Sequence, residues 1–228
     1  MSEIIRTQRH FGDGPLSQIT TFVYTLSVVE ILFVMTTVPG LAVSVLLERH
    51  PSNIPLFALA AVPVGPALSA ALYTLQFRRD PTDLRPAILF WRGYRVNARG
   101  CLLIWVPLLV LLTVIGINLA YLDIAGVPRW WAAPLLLIAL IAALWALNAL
   151  VILSLFCFRV RDVARLALYF LLRLRGAAVG NACLLFVTGA VVVFFSEVAL
   201  LLAASAMALV LLHTHRTMIT EIERDFVA

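Results

Sequence analysis

Long apolar runs alternate along this chain with short stretches that carry arginine. The apolar runs cover residues 17–38, 55–77, 101–122, 134–158 and 177–212. A bilayer core of about 30 Å is crossed by about 20 such residues in an α-helix. Each of the first four runs therefore predicts one membrane span. The fifth is broken only by Asn181 and by Ser196-Glu197. As one helix it would be about 54 Å long, too long for one upright span. Ser196 suits a helix N-cap and Glu197 a first turn. The run therefore divides into spans at 177–195 and 198–213. A single tilted helix would instead give five spans and an external C-terminus.

Proline and small residues shape the predicted spans. Pro39-Gly40 kinks or ends the first one, and Leu41 to Leu47 extend it or fold over at the outer surface. Pro63 and Pro66 bend the second. Ala61, Gly65 and Ser69 recur every fourth residue, a stripe that lets another helix approach closely. Two arms separate the spans. Residues 78–99 hold six arginines with Phe90, Trp91 and Tyr94, and residues 159–175 alternate basic clusters with an apolar face. Such mixtures suit helices lying in the headgroup region. The expected fold class is all-α: one polytopic membrane domain over residues 1–228, with about six transmembrane helices and two cytoplasmic, Arg-rich amphipathic arms.

Composition agrees with this pattern. The 228 residues are 63% hydrophobic and 13% charged, against about 25% charged in soluble domains. All seventeen basic residues are Arg, and the net charge is +5. With the N-terminus inside, both arms and the C-terminal tail fall inside too, and only Arg49 and Arg129 fall outside. That predicts a bacterial cytoplasmic membrane protein with both termini cytoplasmic. Anionic lipid headgroups are the expected partner, at about 1 kcal/mol per basic residue near the surface. Nucleic acid is not expected, because the arginines fall in separate segments. The first apolar run is too long for a signal peptide and lacks a small-residue cleavage site, so it is expected to stay as an anchor. Cys101, Cys157 and Cys183 are expected as reduced, buried small hydrophobes.

Few residues suggest chemistry. Glu30 lies inside the first span, where a charge costs roughly 2.5–3.5 kcal/mol on insertion scales. It is expected to face the bundle and find a partner, with Asn118, Asn148 or Thr36 as candidates. Two readings of Glu30 stay open: a proton, cation or ligand site, or a carboxyl that holds helices together. His213 and His215 point to different sides of a helix and serve a metal poorly. No catalytic or phosphate-binding motif occurs, so no catalytic residue, metal or cofactor is assigned. A weak repeat pairs Phe77-Arg78 with Phe158-Arg159, and Cys101-Leu102-Leu103 with Cys183-Leu184-Leu185. It would make span–arm–span occur twice in the same orientation.

Val62 to Tyr73 (VPVGPALSAALY) and Phe90 to Asn97 (FWRGYRVN) carry a resemblance to a known family. So do the Asn118 stretch, Trp145 to Val151 and Phe158 to Tyr169. Over roughly residues 20–212 the chain resembles the YesL-like family of bacterial integral membrane proteins, in its actinobacterial form. That family has no established biochemical activity, and its members accompany sugar uptake systems. The resemblance implies a non-enzymatic accessory of carbohydrate uptake, with sugar transporter subunits as partners and Arg92, Tyr94, Arg95, Asn97, Arg161 and Asp162 as docking contacts. It defines no oligomeric state. The stretch from Pro39 to Pro63 is longer than in the common form, and Glu30 stands where a neutral polar residue is expected. The other reading is a small transporter or channel using Glu30 and the Pro63-Gly65-Pro66 kink.

Overall fold

The computed structural model describes residues 15–77, 85–173, 175–194 and 203–226. Among these, nine α-helices and no strand occur. They are α1 (Pro15–Leu46), α2 (Ile54–Ala60), α3 (Val64–Gln76), α4 (Pro86–Ala120), α5 (Ala132–Leu155), α6 (Val160–Arg173), α7 (Arg175–Phe194), α8 (Ala204–Thr214) and α9 (Arg216–Phe226). Four helical segments are long and apolar enough to cross a membrane: Ile19–Leu46, Pro51–Gln76, Pro86–Ala120 and Arg129–Leu155. They cover the first four predicted spans.

α3, α4 and α5 form the tightest part of the molecule. Neighbours run antiparallel, and glycine lets them close up. A Cβ on Gly65 would lie 2.5 Å from the Trp105 ring, and one on Gly93 would lie 2.8 Å from Tyr73. One on Gly100 would meet a Leu153 methyl at 2.9 Å. The predicted small stripe is thus used: Ala61 accepts a hydrogen bond from Trp105 Nε1 at 3.0 Å, Gly65 admits that indole, and Ser69 pairs with Ser154 at 2.8 Å. Pro63 and Pro66 mark the break between α2 and α3, as expected of residues that withhold N–H donors. Pro39 does not end α1, which continues to Leu46. Gly40 there lies against the Ala60 carbonyl, where no side chain would fit.

Two expectations need correction. The first arm is not a separate helix lying along a surface. From Pro86 it is continuous with the third span in one helix of 35 residues, about 52 Å long. Residues 78–84 of that arm lie outside the described residues. The physical reason is that Phe90 and Gly93 pack into the core against α3, so the helix is held along the bundle axis. Second, Cys157 and Cys183 are exposed, and only Cys101 is buried. The division of 177–213 is described only in part, since residues 195–202, with the Ser196-Glu197 cap, lie outside the described residues. α7 and α8 are separate helices, and the described part of the last span, α8, has 11 residues, about 16 Å. Gly180 lies against Thr214, which sets the two helices antiparallel, with the start of α7 beside the end of α8.

The second arm is a helix of its own. α6 buries Val163, Ala167 and Phe170 against the bundle, and it meets α7 at a bend of 99°. The proposed repeat is therefore unequal. Its first copy runs straight from arm to span, and its second turns sharply. The alternation of directions places Arg92, Arg95, Arg161 and Arg216 at one end of the bundle and Arg49 and Arg129 at the other.

Candidate functional site

Two polar sites lie within the apolar bundle. The first is Glu30, midway along α1. Its Oε2 accepts from the Ser205 backbone N–H at 2.7 Å. Ser205 is in the first turn of α8, where backbone N–H groups have no helical partner and the helix dipole is positive. Glu30 thus acts as an N-cap supplied from another helix. Its Oε1 is shielded from solvent and has no hydrogen-bond partner among the described residues. The expected partners are not used. Asn118 is exposed and donates to the Val114 carbonyl, Thr36 donates to Leu32, and Asn148 belongs to the second site. Asn118 and Thr36 bond within their own helices because a backbone carbonyl four residues back is the nearest acceptor.

The second site joins α5, α7 and α8. The Asn148 side-chain oxygen accepts from Asn181 Nδ2 at 2.9 Å and faces His215 Nε2 at 2.8 Å. Asn148 Nδ2 donates to the Ala167 carbonyl of α6 at 3.4 Å. His215 Nδ1 faces the Leu211 carbonyl at 2.8 Å. All three side chains are buried. Nδ1 can only donate to the Leu211 carbonyl, so a neutral ring carries its proton there and accepts at Nε2, where Asn181 Nδ2 also lies at 3.3 Å. The Asn181 Oδ1 has no partner among the described residues. Trp145 adds a bond to α6, from Nε1 to the Ala164 carbonyl at 3.0 Å.

Sequence reasoning placed Asn148 in a polar site but with the wrong partner. It set His215 aside, and it named Asn181 only as a break in an apolar run. The available signal was that Asn181 and His215 each stand within a few residues of an arginine, and Asn148 within about three turns of one. In an antiparallel bundle such positions share a level. As expected, the two histidines separate: His213 is exposed and His215 buried.

The arm residues divide by exposure. Arg92, Arg95, Arg161 and Asp162 are exposed, with no ion pair or hydrogen bond among the described residues. Tyr94 is half-buried, stacked with Phe90 and edge-on to Trp91. Asn97 is turned inward and donates to the Ser154 carbonyl at 3.3 Å. It links α4 to α5 at the level of the Ser69–Ser154 pair and is not free for docking in this arrangement. α4 and α6 touch, so the two arms share one end of the molecule. There Arg173 at the end of α6 pairs with Glu221 of α9 at 2.8 Å.

No group of three metal-binding side chains occurs among the described residues. Comparison with family models, with curated proteins and with solved structures finds no match.

Proposed function

We propose that this chain is a non-enzymatic accessory protein of the bacterial cytoplasmic membrane that docks a partner at its arginine-rich end. The observation that carries this reading is the state of the arginines. Arg92 and Arg95 stand on a rigid extension of α4, Arg161 stands on the adjoining α6, and all three are exposed. The interior polar groups, by contrast, are largely spent on one another. The arginine-rich end faces the cytoplasm under the charge rule, with both termini on that side. The resemblance to the YesL-like family supplies the partner class, subunits of a carbohydrate uptake system. Co-purification from a mild detergent tests it. The native chain is expected to retain transporter subunits, and the Arg92→Ala, Arg95→Ala, Arg161→Ala triple variant to lose them. Isolation of the native chain alone, under conditions that keep other membrane complexes intact, contradicts the reading.

One observation favours a second reading, a small transporter. α8 begins beside Glu30, inside the bundle, and both an intramembrane carboxylate and a helix that starts at membrane depth mark substrate or ion pathways in transporters. Flux into reconstituted vesicles tests it, with Glu30→Gln as the comparison. Equal flux in the two proteins removes Glu30 from any transport mechanism.

A further inference from the structure

A partly open apolar pocket of about 170 Å³ lies among α1, α3, α4, α5, α7 and α8. Its walls include Phe33, Val64, Trp105, Leu147, Leu185 and Met207. Two lining residues could offer a hydrogen bond, and both are already committed. Trp105 Nε1 donates to the Ala61 carbonyl, and the Thr188 hydroxyl donates to the Leu184 carbonyl at 2.8 Å. An occupant therefore meets only apolar surface. Apolar cavities of roughly 150 Å³ stay dry and take up apolar guests.

The pocket adjoins the outer face of the bundle. Leu184 and Met207 line it, and they also line a groove of about 430 Å³ on the outer face between α7 and α8. Val187 and Val210 flank that groove and are 53% and 51% exposed. In a bilayer such a face meets acyl chains. Methionine is unbranched and adapts its shape easily, so Met207 suits a movable partition.

We propose that the end of one acyl chain of a bilayer lipid enters between α7 and α8, past Leu184 and Met207, and occupies this pocket. Continuity with the lipid-facing groove names the occupant. A polar solute would find no partner inside, and other small apolar guests have no comparable concentration beside the opening. The site is separate from the exposed arginines, and Glu30, one turn from Phe33, is not part of its lining.

The test uses the full chain in detergent-free nanodiscs of phosphatidylglycerol and phosphatidylethanolamine. A fraction of the phosphatidylglycerol carries a diazirine at the end of one acyl chain. After irradiation, adducts are mapped by peptide mass spectrometry. Adducts are expected on the inner walls, at Phe33, Trp105 or Leu147, as well as on Val187 and Val210 outside. Met207→Trp, which narrows the opening, is expected to lower inner adducts about tenfold while outer ones stay within about twofold. Adducts confined to the outer residues of the native chain overturn the proposal, and this arm needs no variant to fold. Inner adducts that persist in both Met207→Trp and Leu184→Trp overturn the route of entry.

Discussion

α3–α4–α5 and α7–α8 solve the same packing problem with different proportions of the same means. In the first group, glycines sit where another side chain already fills the space, as Gly65 does against Trp105 and Gly93 against Tyr73. In the second, Gly180 lies against Thr214, but Gly176 and Gly189 meet nothing within 4 Å. Close packing joins the first group. α8 also packs Ala208 and Leu211 into the core, whereas α7 is tied to the bundle through the buried Asn181, with a pocket left at the seam. Without a hydrophobic force between helices in lipid, close packing and interhelical hydrogen bonds are the two available means. This protein uses both on each side, with close packing dominant among α3, α4 and α5 and buried polar bonds dominant at α7.

The comparison breaks most sharply at the glycines. Gly65→Val is expected to lower stability by about 3 kcal/mol, because the added atoms strike the rigid, hydrogen-bonded Trp105 indole. Thermal unfolding in micelles reads this as a large fall in Tm. Little change would mean that α3 and α4 are not in close contact. Next comes the polar joint. Asn148→Ala strands the Asn181 amide, His215 and the Ala167 carbonyl, for an expected loss of about 2 kcal/mol. Faster proteolysis within α7–α8 than within α3–α4 would place that loss where the account has it.

Smaller effects sharpen the picture. Glu30→Gln keeps an oxygen for the Ser205 N–H but removes the charge from the α8 N-terminus, so about 1 kcal/mol should be lost. A Gln variant as stable as the native chain would show that the charge is not engaged. Gly189→Ala has the opposite sign, a gain of about 0.5–1 kcal/mol from a stiffer helix with no clash. A loss there would mean that the α7 surface is covered in the membrane. The Arg173–Glu221 pair is half exposed on the arginine side, so Arg173→Ala should change Tm by an amount worth less than about 1 kcal/mol.

How far the sequence could be read follows the same division. The four long spans were legible because nearly unbroken apolar runs of about 20 residues have one stable state in lipid. The stripe at Ala61, Gly65 and Ser69 was legible because its spacing fixes one helix face. Less could be read where the outcome depended on what a residue touches across the bundle. Residues 86–99 looked like a surface helix, since alternating Arg and aromatics fit that environment. Burial of Phe90 and Gly93 against α3 decided otherwise. Glu30 was rightly expected to need a partner, but the partner is a backbone N–H 175 positions away, and backbone donors leave no mark in a sequence. Asn181 and His215 were underrated for a similar reason, because their bonds depend on α7 and α8 lying antiparallel.

Sidedness of the arginine-rich end is the premise on which docking, topology and charge all depend. The direct measurement is labelling of single cysteines, placed in a cysteine-free background at Arg92, Arg161 and Ile124, with a membrane-impermeant maleimide on intact spheroplasts. The account predicts modification at 124 from outside, and at 92 and 161 only after the membrane is opened. Modification of 92 and 161 in intact cells, with 124 protected, would contradict it.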